Sequence, residues 1–224
     1  ASYRRQRQMC IRDRFKRVGK NLDVNKPWNI DVYGNNISIG ENVHIRTSKN
    51  LITQLCSWNK NNCDGVIKIG DNVLISPGVR IISAKEIIIK SNVMIASNVY
   101  ISDSDWHGIY DRVNTPGLSQ NITIEENSWI GEGSKISKGV KIGKNSIIGL
   151  GSVVTSNVPD NEIFGGNPAK KIGEIDKNKK IRKREDLFLN NDYNKLMKFL
   201  IKEDLKENNF FAWLRVLFFP KKGD

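Results

Sequence analysis

The sequence predicts an all-β solenoid, and three observations predict it. From residue 124 an aliphatic side chain recurs every six residues, at Ile124, Ile130, Ile136, Ile142, Ile148 and Val154. Three residues after twelve of these anchors and their counterparts upstream stands asparagine or glycine: Asn36, Asn42, Asn72, Gly78, Asn92, Asn98, Asn127, Gly133, Gly139, Asn145, Gly151 and Asn157. One residue later come small or β-branched side chains such as Val73, Val93, Ser128, Ser134 and Ser146. Asparagine and glycine tolerate positive φ, so the chain turns a corner in every repeat. Neither strand alternation nor the helical period of 3.6 produces corners six residues apart. Very short strands do, three per coil and stacked in parallel, so that each coil buries its neighbour's aliphatic column.

Residues 1–14 lack apolar periodicity, resemble translated adapter sequence, and are set apart as non-native or disordered. The repeat domain is assigned to 15–173. Its upstream anchors are Tyr33, Ile39 and Ile45, then Ile69, Ile75 and Ile81, then Ile89, Ile95 and Ile101. Residues 46–65 break the period and read as an inserted loop or distorted coil, and the two-residue step from Ile87 to Ile89 reads as a bulge or edge adjustment. Residues 102–123 form the longest excursion, and a loop of that length in a compact solenoid is usually functional. After Ile172 the repeat stops. Residues 174–224 read as a basic tail, helical from about 185 to 207, with an aromatic and basic stretch at 210–219. That stretch suits packing on the prism, sealing an oligomer, or peripheral contact with a membrane.

The net charge of +12 sits at the ends. Residues 1–14 contribute +4 and 177–224 contribute +6, so the 162 residues between carry only +2. A nucleic-acid partner is therefore not expected. Cys10, Cys56 and Cys63 form no CxxC pair, which disfavours structural zinc and a disulfide framework. No run approaches a membrane span and no secretory pattern opens the chain, giving a cytoplasmic expectation.

Only two histidines are present. His107 lies in the excursion, within Asp103-Ser-Asp105-Trp106-His107-Gly108-Ile-Tyr110-Asp111-Arg112. A general base acting on a hydroxyl needs a neutral imidazole and a partner that fixes its tautomer, and Asp105 or Asp103 fits that part. His44, at the last position of a repeat, reads as an ordinary outward residue.

These repeats resemble the hexapeptide-repeat acyltransferases, over about residues 29–173. The resemblance implies a left-handed parallel β-helix, a homotrimer, acetyl-CoA as acyl donor, and a loop histidine as base, here His107. Asn127-Ser-Trp129-Ile-Gly131 resembles the family's N-x-W-I-G, whose tryptophan lines the cofactor groove. The stretch Ile148-Gly149-Leu150-Gly151-Ser-Val-Val-Thr155 is similar to one that touches pantetheine. Gly165-Gly-Asn-Pro168-Ala-Lys170 is similar to an ending whose cation approaches the nucleotide phosphates. Gly149 and Gly151 equally suit plain turns.

For the acceptor, Trp106 and Tyr110 beside Asp103, Asp105 and Arg112 combine aromatic faces with polar groups, as a sugar ring requires. The loop pattern resembles that of sugar O-acetyltransferases of bacterial surface polysaccharides. The expectation is O-acetylation of a sugar hydroxyl without a metal. An amino-sugar N-acetyltransferase and a non-catalytic scaffold are the alternatives.

Overall fold

The computed structural model describes residues 11–59, 63–114 and 116–189, with Lys195 and Phe199. It contains two units, 1–184 and 185–224. The first is a three-sided parallel β-helix.

Six coils each supply one strand to each side. Sheet A stacks β1 (Arg17–Val18), β4 (Ile37–Ile39), β7 (Val66–Ile69), β10 (Glu86–Ile89), β13 (Ile122–Ile124) and β16 (Lys141–Ile142). Sheet B stacks β2 (Asp23–Val24), β5 (His44–Ile45), β8 (Leu74–Ile75), β11 (Met94–Ile95), β14 (Trp129–Ile130) and β17 (Ile147–Ile148). Sheet C stacks β3 (Ile30–Tyr33), β6 (Thr53–Ser57), β9 (Arg80–Ser83), β12 (Tyr100–Ser102), β15 (Lys135–Ile136) and β18 (Val153–Val154). Sheet B continues into β19 (Glu162–Gly166) and the antiparallel β20 (Ala169–Glu174).

The anchors fill the prism. Ile75, Ile95, Ile130 and Ile148 align in register and are fully buried, as are Val73, Val93, Ser128 and Ser146 beside them. The buried serines of these corners return their hydroxyls to the backbone, as Ser128 Oγ does to the Gly143 carbonyl at 2.8 Å. Positive φ appears at the expected corners, including Asn42, Asn72, Asn92, Asn127 and Asn145. Their amides form a ladder between coils: Asn127 donates to Asn145 at 3.0 Å, and Asn145 to Asn161 at 2.9 Å.

Four expectations need correction. Tyr33 points outward, because Ile30 and Val32 are the inward residues of β3 and Gly34 makes the corner. Residues 46–65 enclose a regular strand, β6, whose inward side chains are Thr53, Leu55 and Ser57; two of the three are polar, which hides the strand from an aliphatic pattern. The Ile87–Ile89 step is not a bulge but two inward positions of one strand, paired without a shift to β7 and β13. Finally, Ile11 and Phe15 both pack on the first coil, so burial begins inside the segment set apart as 1–14.

In the second unit the described helix is α1 (Asp186–Leu189). The remainder of the helix expected to 207, and the stretch 210–219, lie outside the described residues apart from Lys195 and Phe199. Among the described residues no helix is long and apolar enough to cross a membrane.

Candidate active site

The excursion leaves the prism at the corner between sheets C and A. Its root is Asp103, fully buried. The carboxylate accepts hydrogen bonds from Ser83 Oγ at 2.7 Å, the Ala84 N–H at 2.7 Å and the Lys85 N–H at 3.0 Å, all on the preceding coil. Above it the two legs pair: Gln120 N donates to Asp103 O at 2.9 Å, Asp105 N to Leu118 O at 3.1 Å, and Ser119 Oγ to Ser104 Oγ at 3.0 Å.

Trp106 takes φ +65, a conformation costly for a bulky residue. The Ser104 hydroxyl accepts its N–H at 3.1 Å, and Ser102 Oγ accepts its indole Nε1–H at 3.0 Å. The indole meets Trp58 edge to face, with centroids 5.9 Å apart. His107 follows immediately and is exposed. At the tip Asp111 accepts from Asn114 Nδ2 at 2.6 Å and from the backbone of Val113 and Asn114. Those hydrogen bonds, the Asn114 amide first, hold its carboxyl below the usual carboxylate range.

The site predicted from sequence is only partly brought together. Neither acid orients the imidazole: Asp103 is consumed at the root, and Asp105 Oδ1 pairs with Lys138 Nζ at 2.7 Å on the next coil. Among the described residues the His107 ring has no hydrogen-bond partner. Asp103 is also too deep to face an acceptor. Tyr110 and Arg112 stand exposed at the tip, where Arg112 Nε reaches only the Ile109 carbonyl of its own loop at 3.5 Å. Of the aromatic pair, Trp106 turns toward the prism and Tyr110 does not.

The residues matched to cofactor contacts occupy other surfaces. Trp129 stands outward on sheet B between Met94 and Ile147, 47% exposed. Leu150 is 83% exposed at the corner from B to C, next to Gly151 at φ +67. Thr155 is exposed at the C-to-A corner, the same corner that carries the His107 loop. Lys170 is exposed on β20 opposite Gly165, and among the described residues it has no acidic partner, whereas Lys171 is paired with Glu162 and Glu174. Gly131 has a structural reason: a Cβ there would lie 2.5 Å from the Ile148 carbonyl oxygen. Gly149 is roomier, its nearest neighbour in the same sense being Phe164 O at 3.4 Å.

Two features escaped the sequence reading. His44 does point outward, but it is buried beneath Arg184, whose Nη2 lies 3.3 Å from Nδ1 and whose Nε donates to Asn72 O at 2.8 Å. Burial first, then Arg46 and Arg184 against the opposing Asp23, lower its pKa to about 4. The second feature is an aromatic groove on sheet C, to which Trp28, Tyr33, Trp58 and Tyr100 contribute. Aligning outward positions of successive coils would have revealed it once β6 was recognised.

Burial raises the thiol pKa values of Cys56 and Cys63, the negative charge of Asp103 adding at the latter, so neither favours the nucleophilic thiolate. Among the described residues no three histidine, cysteine or acidic side chains are grouped to hold a metal ion.

Comparison with known proteins agrees with this architecture. The family model described as bacterial transferase hexapeptide (six repeats) matches residues 121–156. The chain is 33% identical over 173 residues to the galactoside O-acetyltransferase of Escherichia coli (strain K12), covering 75% of this chain and 68% of that protein. A solved galactoside acetyltransferase in complex with coenzyme A is 29% identical, with a TM-score of 0.52 over 80% of this chain and 78% of its own. AntD, an N-acyltransferase from Bacillus cereus solved with dTDP-4-amino-4,6-dideoxyglucose and coenzyme A, shares the fold at 23% identity, with a TM-score of 0.62 over 84% of this chain and 95% of that one. The coils take the left-handed turn of these relatives, and the chain belongs to the hexapeptide-repeat acyltransferases.

Proposed function

We propose that the chain transfers an acetyl group from acetyl-CoA to a sugar hydroxyl. The observation that carries this reading is the rooted loop that presents His107 to solvent directly after Trp106, an indole turned onto an aromatic groove. The imidazole accepts the proton of the acceptor hydroxyl as its oxygen attacks the thioester carbonyl. The tetrahedral intermediate collapses with cleavage of the C–S bond, and the departing thiolate takes the proton back from the imidazolium. The products are an acetyl ester and CoA. No acyl-enzyme is needed, in keeping with the protonated thiols.

Trp129 and Leu150 supply apolar contact for pantetheine, with Gly131 and Gly149 keeping the backbone beside them open. Thr155 adds a hydroxyl, and Lys170, without an acidic partner among the described residues, a charge for the nucleotide phosphates. Asp105 acts as a positioning residue, holding the loop to Lys138 rather than turning the ring. Because Trp129 and His107 lie on different sides of one prism, a closed groove requires a second copy, and a homotrimer with sites between copies meets that need. A role in bacterial surface polysaccharide synthesis, at the inner face of the membrane, follows from the same reading.

Calorimetric titration with acetyl-CoA, followed by incubation with saccharides and isolation of the acetylated product, tests the proposal. Saturable binding and an ester cleaved by hydroxylamine are expected. A product stable to hydroxylamine would mean N-transfer to an amino sugar, and no binding at millimolar acetyl-CoA would favour a scaffold.

A further inference from the structure

The groove on sheet C has a volume of about 840 Å³. Its rings are Trp28, Tyr33, Trp58, Tyr100 and Trp106. They are not core residues left over from packing, since the inward side of the same strands is filled by Val32, Leu55, Ile81 and Ile101. Trp28 and Tyr33 remain 51% and 41% exposed. Three of them are in contact in series: Tyr33 lies 5.5 Å from Trp58, and Trp58 lies 5.9 Å from Trp106. A path of rings therefore runs from Tyr33 at the end of β3 to the residue preceding His107, with Trp28 and Tyr100 lining the same groove.

Polar groups edge this path. Asp31 Oδ2 accepts from Gln54 Nε2 at 3.5 Å, and Arg14 Nη1 donates to the Val32 carbonyl at 3.3 Å. Arg80, on the same sheet, lies over the Tyr100 ring at 4.8 Å. Aromatic faces bordered by amide and carboxylate groups match a pyranose, whose ring faces are apolar and whose rim is hydroxylated. The volume is near the upper end of the roughly 300–1,000 Å³ of small-molecule sites, more than one hexose ring fills. The diphosphate of a nucleotide sugar would need cations free to meet it. Here the described lining holds one cation, Arg14, against one anion, Asp31, and so carries no net positive charge to meet it.

We infer that this groove binds a neutral oligosaccharide of several residues, extended over Trp28, Tyr33 and Trp58, and delivers one of its hydroxyls to His107. The inference rests on the acetyl-transfer reading and narrows its acceptor to a preformed glycan rather than a monosaccharide or a nucleotide-activated sugar. The strained φ of Trp106 sets an indole at the end of the path, next to the base.

The test is calorimetry on the full chain with neutral gluco-, galacto- and N-acetylglucosamine oligosaccharides of one to six residues. Acetyl-CoA is titrated into the same samples. Affinity should rise at least tenfold from the monosaccharide to the trisaccharide in one series. Trp28→Ala and Tyr33→Ala, both partly exposed and checked by thermal unfolding, should each weaken the trisaccharide at least fivefold. Length-independent affinity, undiminished binding by both variants, preference for dTDP-glucose, or failure of every series to bind overturns the inference. Dissociation of an oligomer by Trp28→Arg, with no glycan bound by the parent, would identify the face as a contact between copies and also overturn it. Acetyl-CoA binding without glycan binding leaves the transferase reading intact, whereas glycan binding without acetyl-CoA binding removes that reading and keeps the site.

Discussion

The Ser83 hydroxyl donates a 2.7 Å hydrogen bond to the buried carboxylate of Asp103, tying the root of the His107 loop to the coil before it. Asp103→Ala would strand the Ala84 and Lys85 N–H groups, while the Ser83 hydroxyl keeps the Val66 carbonyl at 3.0 Å, at a cost of about 3 kcal/mol. Asp103→Asn keeps one acceptor and should recover about half. Thermal unfolding and kcat should fall together in the first variant and partly recover in the second. Full activity in Asp103→Ala would show that the loop is held by other means.

His107→Ala should lower kcat by about 10²–10⁴-fold, the usual worth of a general base. The side chain is exposed, so the melting temperature should move little. Steady-state kinetics with acetyl-CoA and an accepted glycan provide the check, and a kcat within threefold of the parent would shift the base to another residue.

His44 makes stability depend on pH in a stated direction. In the folded chain its pKa is lowered to about 4 from the ordinary 6.5, so between these values the unfolded chain binds the extra proton. The stabilisation is complete above pH 6.5 and is lost as pH falls toward 4, by about 2 kcal/mol after allowance for solvent screening. Urea unfolding at pH 7.5 and 4.5 should show this loss in the parent and a smaller one in His44→Gln.

Trp129→Ala should weaken acetyl-CoA about tenfold, equivalent to about 1.4 kcal/mol. Lys170→Ala should weaken it less, with an effect that shrinks as salt is added. Calorimetry at two ionic strengths separates the two contributions, and unchanged affinity in Trp129→Ala would remove sheet B from the donor site.

Asn145 combines φ +58 with a place in the amide ladder. Asn145→Ala should cost about 2 kcal/mol, since it loses ladder hydrogen bonds and strains the backbone. Asn145→Gly retains the conformation and should cost about half as much, as read from denaturant midpoints.

The coils were legible because each rests on a local rule: an inward aliphatic, then a residue tolerant of positive φ, then a small side chain. Where a coil departs from that rule the reading slipped. Thr53 and Ser57 are inward yet polar, and Asn157 uses its side chain to accept from Lys141 N at 2.8 Å, with no positive φ. In the site, loop length and residue type singled out His107. The role of Asp103 was hidden, because its partners lie eighteen to twenty residues earlier on another coil. The cover of His44 was hidden for the same reason, since Arg184 returns from 140 residues away.

Strand β20 runs against the direction of every other strand in sheet B and carries Lys170, Lys171 and Glu174 on the sheet's final edge. A further coil offered there would meet reversed polarity and charge, so prisms are hindered from joining base to base into filaments. Growth by repetition, the hazard of any stacked fold, is stopped at this end by a single hairpin.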